Sequence, residues 1–424
     1  MKLYDLPVAV IGAGPIGLAT AARLVERGLQ PLVLESGKQA GSHIREWGHV
    51  RLFSPWKFNI DAYCGSLLAR HGWAAPDLED YPTGREFLES YLLPLSAMPE
   101  IAPHIRFGAR VEAVSRLGQD KLQSGGRAEV PFQLRVRTAD GVEMLSARAV
   151  IDASGTWSQP NPLGSGGILV PGEDSLSHRI GPRIPDILGA DRDRFIGRTV
   201  LVAGSGDSAL TVIASLGRLQ EEDATIRIVW ATRRQADRKM FGGGAADQLP
   251  ERGRIGLRAK ELVERGHIRL LTGFRIAQVE DVDGKRLRIL ALDGRTEVVD
   301  RIIASTGFRP ELTMLRELRL NLNGTVECPI ALGPLIDPEL HSCGTVPPHG
   351  AAELMHPEPD FYIVGMKSYG RAPTFLMLTG YEQVRSVTAA IAGDKAAASA
   401  VELQLPETGV CCDASEEQPC SASK

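Results

Sequence analysis

The sequence predicts an α/β fold: two Rossmann-like dinucleotide-binding domains, one inserted into the other, each with a β-meander. Three observations carry the prediction. A glycine-rich turn follows an apolar run twice, as GAGPIG at residues 12–17 and as GSGDSA at residues 204–209. Each turn leads into a helical pattern and then a second apolar run. Each copy closes on a similar string, AVIDASG ending at Gly155 and RIIASTG ending at Gly307. Recurrence of the same order of signals marks a duplication at domain scale.

The elements follow in order. Val8, Ala9, Val10 and Ile11 form an all-apolar run, which suits a strand buried on both faces of a parallel sheet. The next helix runs to about Arg27, with Ile16, Ala19 and Leu24 on its apolar face and Gly28 as its stop. Leu32, Val33 and Leu34 make the second strand, and Glu35 stands at its end. Phe132, Leu134 and Val136 alternate as a meander strand should, and Asp140-Gly141 turns the chain. In the second copy the strands are residues 200–203 and 226–230, the helix between them reaches about Leu219, and Asp283-Gly284 and Asp293-Gly294 are hairpin turns. After Gly307 a buried strand at residues 360–365 and a helix from about Leu378 to Ala392 complete the pattern.

The first copy is the longer one. Its surplus falls after Glu35, over residues 41–99, and holds nine of the chain's 23 aromatic residues. That enrichment suits either a wall around a flat ring or a satellite core. The expected division is 1–161 with 311–405 for the first domain, 162–310 for the second, and a flexible cysteine-containing tail at 406–424.

Bulk properties exclude other classes. A length of 424 residues exceeds one ordinary core. A net charge of −4 gives no reason to expect nucleic acid or an anionic membrane. No apolar run approaches a membrane span, and Met1 runs almost directly into the first strand without room for a signal peptide. The expectation is a cytoplasmic protein, monomer or homodimer. Six cysteines are present and no pair has C-x-x-C spacing, so free thiols are expected.

The two turns carry the chemistry. Gly12 allows the tight bend, Gly14 lets a pyrophosphate approach the backbone, and Gly17 lets the helix pack close; Pro15 lies at the helix start. Phosphates then sit on unpaired N–H groups at the helix N-terminus. Glu35, with Ser36 after it, stands where an acid binds ribose hydroxyls, which assigns this site to FAD. The second turn, Gly204, Ser205, Gly206, Asp207, Ser208 and Ala209, has alanine at the third glycine position. No acid ends its following strand. Arg233 and Arg234 stand there instead and favour a 2′-phosphate, so NADPH is expected over NADH.

These motifs, the closing strings AVIDASGTW and RIIASTGFRP, and the C-terminal helix resemble the class B flavin monooxygenases over about residues 6–395. YPTGREFLESYL at residues 81–92 resembles a helix those enzymes place beside the flavin. The motif F-x-G-x-x-x-H-x-x-x-F/W is not matched; in VPGEDSLSHRI, Gly172 and His178 are too far apart. The last strand ends Val364-Gly365-Met366, without the acid usual in disulfide reductases.

Three strings resemble bacterial flavin monooxygenases encoded with arsenic-resistance genes: MKLYDLPVAVIGAGP, HVRLFSPW at 49–56 and KSYGRAPTFL at 367–376.

The resemblance implies that NADPH reduces the flavin, that dioxygen forms a C4a-hydroperoxide, and that a soft small-molecule nucleophile attacks it. Methylarsenite oxidised to the pentavalent form is the leading substrate. An N- or S-hydroxylating monooxygenase of a small organic substrate is one alternative, and a reductase of the thioredoxin or mercuric type another. The residues implied for FAD also include Trp47, Arg51, Val111, Ala153, Gly155, Gly365, Thr379 and Gly380. Thr306 and Gly307 join the NADPH set. Arg51, His49, Lys367 and Tyr369 are the candidates for direct chemistry, with Arg45 and Arg371 nearby. No metal cofactor is expected. Soft thiolates for arsenic(III) are sought at Cys328, Cys343, Cys411 and Cys412, because thiolate suits a soft centre.

Overall fold

The computed structural model describes residues 3–403 apart from 182, 236–237, 248, 338–345 and 374. The chain divides into two compact units. The first takes the chain up to Gln159 and again from Phe308; the second takes Pro160–Gly307.

In the first unit, β1 (Val8–Ile11) is buried at every position. It leads through the glycine turn into α1 (Pro15–Glu26) and back to β2 (Pro31–Glu35). Pro15 at the first helical position costs no hydrogen bond, since that N–H would be unpaired in any case. Gly28, at φ +69°, ends the helix in the left-handed conformation that a side chain would strain. The short β3 (Ile105–Phe107) follows. A meander of β4 (Arg110–Arg116), β5 (Phe132–Thr138) and β6 (Gly141–Ala147) precedes β7 (Ala149–Asp152).

The second unit repeats the plan. The two-residue β8 (Ile180–Gly181) precedes β9 (Thr199–Ala203), α2 (Asp207–Glu222), β10 (Arg227–Ala231), α3 (Pro250–Glu264) and β11 (Ile268–Leu271). Its meander is β12 (Ile276–Asp281), β13 (Leu287–Ala291) and β14 (Thr296–Val299), and β15 (Arg301–Ala304) closes it. Back in the first unit, β16 (Phe361–Ile363) and α4 (Met377–Ile391) complete the fold.

Both large sheets are five-stranded and parallel, ordered β16-β7-β1-β2-β3 and β11-β10-β9-β15-β8. They differ in the source of the fifth strand. β16 comes from the end of the chain, whereas β8 precedes its own glycine turn. Two residues without periodicity give no strand signal, so β8 escapes the sequence reading.

The aromatic surplus after Glu35 folds as short helices between β2 and β3. Phe87, Tyr91 and Trp56 are buried in the core shared with α1. Phe87 stacks on Tyr91 at 5.7 Å, and Trp56 and Trp73 tilt against them. For these rings the satellite-core reading holds. Only part of the cluster, Trp47 above all, stays half-exposed. A buried charge cluster ties the first meander to the approach to β16. Glu358 accepts from Arg116 Nε and Arg127 Nη2, each at 2.7 Å, and Arg116 lies over the Phe132 ring. Burial pushes the Glu358 carboxyl up, and the two guanidiniums more than offset it, leaving it below the usual carboxylate range.

Candidate functional site

The first cradle is built by sterics. Gly12 adopts φ +98°, and a Cβ there would meet Ala153 O at 3.0 Å. A Cβ on Gly17 would stand 2.0 Å from Gly12 O, so the helix can approach the turn only with glycine at that place. A Cβ on Gly14 would meet nothing within 4 Å. Open space over that backbone is what an incoming pyrophosphate requires. Gly155, at φ +69°, faces open space in the same way.

Glu35 is held at the end of β2 by backbone alone. Its Oε2 accepts from Ala13 N–H at 2.7 Å and its Oε1 from Gly37 N–H at 2.6 Å. Each carboxylate oxygen keeps a lone pair for a further donor, such as a ribose hydroxyl. Ser36 beside it is exposed. Val111 is buried in the core under the meander, where its side chain packs against apolar neighbours. These residues fit a dinucleotide.

The second cradle repeats the geometry with one difference. Gly204 adopts φ +132°, and a Cβ there would lie 2.0 Å from Ser305 O; Gly206 faces open space. The third glycine is replaced by Ala209, which is fully buried. Trp230 Nε1 donates to Gly204 O at 2.7 Å and so fixes the turn from the neighbouring strand. Nothing local in the sequence marks Trp230 for this, because the pairing of β10 with β9 brings it there. Ser205 and Asp207 are exposed at the turn, with Ser208 half-buried. Thr306 Oγ1 donates to Asn161 O at 2.6 Å, and Asn161 N–H donates to Gly307 O at 2.9 Å. Arg233 and Arg234 are both exposed after β10. The backbone of Arg234 is pinned, since its carbonyl accepts from Thr232 Oγ1 and from Gly273 N–H.

Four places gather at the carboxyl end of the first sheet. A Cβ on Gly365 would press on Ile16, and one on Gly380 would stand 2.5 Å from Ile16 Cδ1. The starts of α1 and α4 therefore meet through glycine, with Thr379 buried between them. Gln383 locks this corner. Its Oε1 accepts from Gly365 N–H at 2.7 Å, and its Nε2 lies 2.9 Å from Ser368 Oγ and 2.8 Å from His349 Nε2. Burial pushes the His349 imidazole down, so it is neutral. Gln383 and His349 carry no motif signal; only the packing of α4 reveals them.

Lys367 is fully buried. Its Nζ lies 2.6 Å from Asp152 Oδ2 and 3.1 Å from Ser154 Oγ, and Ser154 Oγ donates to Asp152 Oδ1 at 2.6 Å. The matching position in the second copy is Ala304, which places this charge pair in one copy alone. Tyr369 is fully buried and its hydroxyl makes no hydrogen bond of good geometry; burial raises its pKa against a weaker opposing interaction with Thr379. A buried phenol without such a bond stands ready for one.

The remaining candidates separate. His49 Nε2 is buried without a partner. Arg51 and Arg45 are exposed, and each has a protein acceptor: Arg51 donates to Tyr81 O and Arg45 to Gln39 Oε1 at 2.9 Å. Arg371 is exposed too, with its backbone N–H on Val326 O. Trp47 lies against Gly84, where a Cβ would come within 2.7 Å of the ring, and tilts toward Trp157 at 6.4 Å. Trp157 in turn stacks on Phe308 at 4.9 Å, clasping the points where the chain leaves and re-enters the first unit.

The thiolate reading changes at Cys328. It is fully buried, and desolvation pushes its thiol up to about 11, so it rests as a protonated apolar side chain and not as an exposed thiolate. Cys64 is likewise buried and pushed up. Cys343, Cys411 and Cys412, and the tail from residue 404 onward, lie outside the described residues. Among the described residues no group of histidines, cysteines and acids could hold a metal. No helix among them is long and apolar enough to cross a membrane.

The model of the family described as pyridine nucleotide-disulphide oxidoreductase matches residues 9–329. The chain belongs to this family. An indole-3-pyruvate monooxygenase of Oryza sativa subsp. japonica is 28% identical over 236 residues, 55% of this chain and 50% of that protein. The chain spans about half the length of the curated relatives it matches. Among solved structures, a bacillithiol disulfide reductase from Bacillus cereus covers 91% of this chain and 99% of its own at 18% identity and TM-score 0.63. A mutant flavin monooxygenase from Stenotrophomonas maltophilia covers 92% and 98% at 22% identity and TM-score 0.58. The curated relatives are monooxygenases by name, one of them flavin-containing, and the two-domain α/β fold of the solved structures is this chain's fold.

Proposed function

We propose that this family member is an NADPH- and FAD-dependent monooxygenase, with FAD in the first cradle and NADPH in the second. The observation that supports it is the unequal pair of cradles. Both keep open space over the middle glycine, but Glu35 stands behind the first and Arg233 with Arg234 behind the second. When bound, NADPH supplies a hydride and FAD supplies the electron transfer and oxygen chemistry.

The chain's own residues bind and orient. The N–H groups at the start of α1 receive the pyrophosphate, and Glu35 accepts from ribose hydroxyls. The start of α4, with Thr379 and Gly380, presents its positive dipole end to negative charge on the flavin. Tyr369 offers its hydroxyl as a donor, and His49 offers a ring nitrogen. Lys367, tied to Asp152 and Ser154, is a fixed charge in the wall of the site and not a free nucleophile.

The substrate in this reading is a soft small-molecule nucleophile, methylarsenite first, whose lone pair accepts oxygen. The support is the resemblance of three strings to arsenic-resistance monooxygenases. Cys64 and Cys328 do not assist, being buried and protonated. The reductase alternative needs two thiols against the flavin, and the described residues hold no such pair.

One assay tests the reading. Purified protein is mixed with NADPH in air, with and without methylarsenite, while NADPH absorbance is followed. Stimulated oxidation with a pentavalent product supports it. Failure of every trivalent arsenical to stimulate removes the arsenical substrate, and stimulation by an amine or sulfide points to N- or S-hydroxylation. Oxygen-independent disulfide reduction removes the monooxygenase reading itself.

A further inference from the structure

Four neighbouring strands of the second sheet start on arginine or directly after one. Arg227 opens β10, Arg198 precedes β9, Arg301 opens β15 and Arg179 precedes β8. These are the amino ends of the strands, while the glycine turn at Gly204 lies at the carboxyl end of β9. Strands of this length put the two edges about 15 Å apart.

Register decides which guanidiniums share a face. Arg301 pairs with Val200, and Arg198 stands two positions before Val200, so both side chains leave the same face. Ile180 pairs with Ile302, which sets Arg179 level with Arg301. Arg227 pairs with Thr199 and belongs to the opposite face. Arg194, in the turn Arg192–Arg194, adds a further charge.

The carboxylates at this edge are mostly engaged. Arg179 pairs with Asp281 at 3.2 Å, Arg194 with Asp191 at 2.9 Å, and Arg192 with Glu222 at 2.8 Å. Asp300 accepts from Thr199 N–H at 2.7 Å. Among the described residues, Arg301 and Arg198 have no carboxylate partner within ion-pair distance. The Arg179 side chain is only 5% exposed, and its Nε is buried without a partner. Burial and the charges of Arg179, Arg198 and Arg194 pull the Arg301 guanidinium below the usual arginine range, and the neighbouring Asp300 carboxylate only partly opposes them. Crowded like charges without enough counter-charge destabilise a fold unless an anion is shared between them.

We propose that the amino-terminal edge of the second sheet binds a small polyanion of the phosphate class, gripped by Arg301 and Arg198 with Arg194 and Arg179 beside them. The guanidinium fork matches two oxygens of one phosphate. Arg198 and Arg301 stand on adjacent strands about 4.8 Å apart and are offset by two residues, about 6.6 Å, along them, a separation that two long guanidinium side chains can close around one phosphate or two linked ones. The site is separate from the nucleotide turn and independent of the assignment of NADPH.

The test is calorimetric titration of the full chain with inorganic tripolyphosphate, with saturating NADP⁺ present throughout. Retained binding is expected, weakened at least tenfold in Arg198→Ala/Arg301→Ala and unchanged in Arg227→Ala. Loss of binding with NADP⁺ present overturns the proposal, since the anion then occupies the nucleotide turn. Equal weakening by Arg227→Ala and Arg198→Ala also overturns it, since general attraction then suffices. If the double variant does not fold, the exposed Arg198→Ala alone carries the test. Parallel titration with ATP separates a nucleotide ligand from a free polyphosphate.

Discussion

Lys367 Nζ and Asp152 Oδ2 meet at 2.6 Å across 215 positions of sequence, and neither side chain reaches solvent. A buried pair of this kind repays its desolvation only while both partners are present. Lys367→Met should therefore destabilise the protein by about 3–5 kcal/mol, because it leaves a buried carboxylate unpaired. Lys367→Met with Asp152→Leu should recover most of that loss. Denaturant unfolding of the three proteins checks this, and a double variant as unstable as the single would contradict it.

Gly17 and Gly14 of the first turn should fail differently. Gly17→Ala drives a Cβ into Gly12 O and should destabilise the apoprotein. Gly14→Ala meets nothing in the protein, so the apoprotein should melt as the parent does. It should nevertheless hold FAD about tenfold or more weaker, a change of about 1.4 kcal/mol. Thermal melts of apoprotein beside flavin fluorescence titrations separate the two outcomes.

Nucleotide choice should rest on Arg233 and Arg234. Replacing both with alanine should raise KM for NADPH about tenfold or more and leave KM for NADH nearly unchanged, since only NADPH carries the 2′-phosphate. Equal effects on both nucleotides would remove the assignment.

His356 should impose an acid limit. Burial lowers its pKa to about 4, and its Nδ1 accepts from Asn321 N–H at 3.3 Å. Below the ordinary histidine pKa of about 6.5 the unfolded chain takes up a proton that the folded protein refuses. The stability tied to this residue is complete above that value and falls as pH drops toward 4, by about 3 kcal/mol at most. His349, also lowered by burial, acts in the same direction. Urea unfolding at pH 7, 5.5 and 4.5 should show the decline, and His356→Asn should flatten it.

Much of the fold was legible because its signals are local. A turn that needs positive φ directly after a buried strand selects glycine, as at Gly12 and Gly204, whatever lies elsewhere in the chain. Val8–Ile11 must be buried on both faces, and Asp283-Gly284 must turn. Glu35 was readable because it follows its strand directly. The aromatic surplus was not legible in the same way. Composition cannot distinguish Phe87, Tyr91 and Trp56, which fill a core, from Trp47, which stays half-exposed.

By itself, then, the sequence determined the duplicated α/β plan, the two glycine cradles, and the acid behind one against the arginines behind the other. Each of these needs only neighbouring residues and a period of two or 3.6. The tertiary structure alone decided that Lys367 reaches Asp152, that Trp230 anchors Gly204, that Cys328 is a core thiol, and that Arg198 and Arg301 share a face. Those depend on strand order and register, and parallel strands joined by long crossovers bring together residues that no local pattern connects.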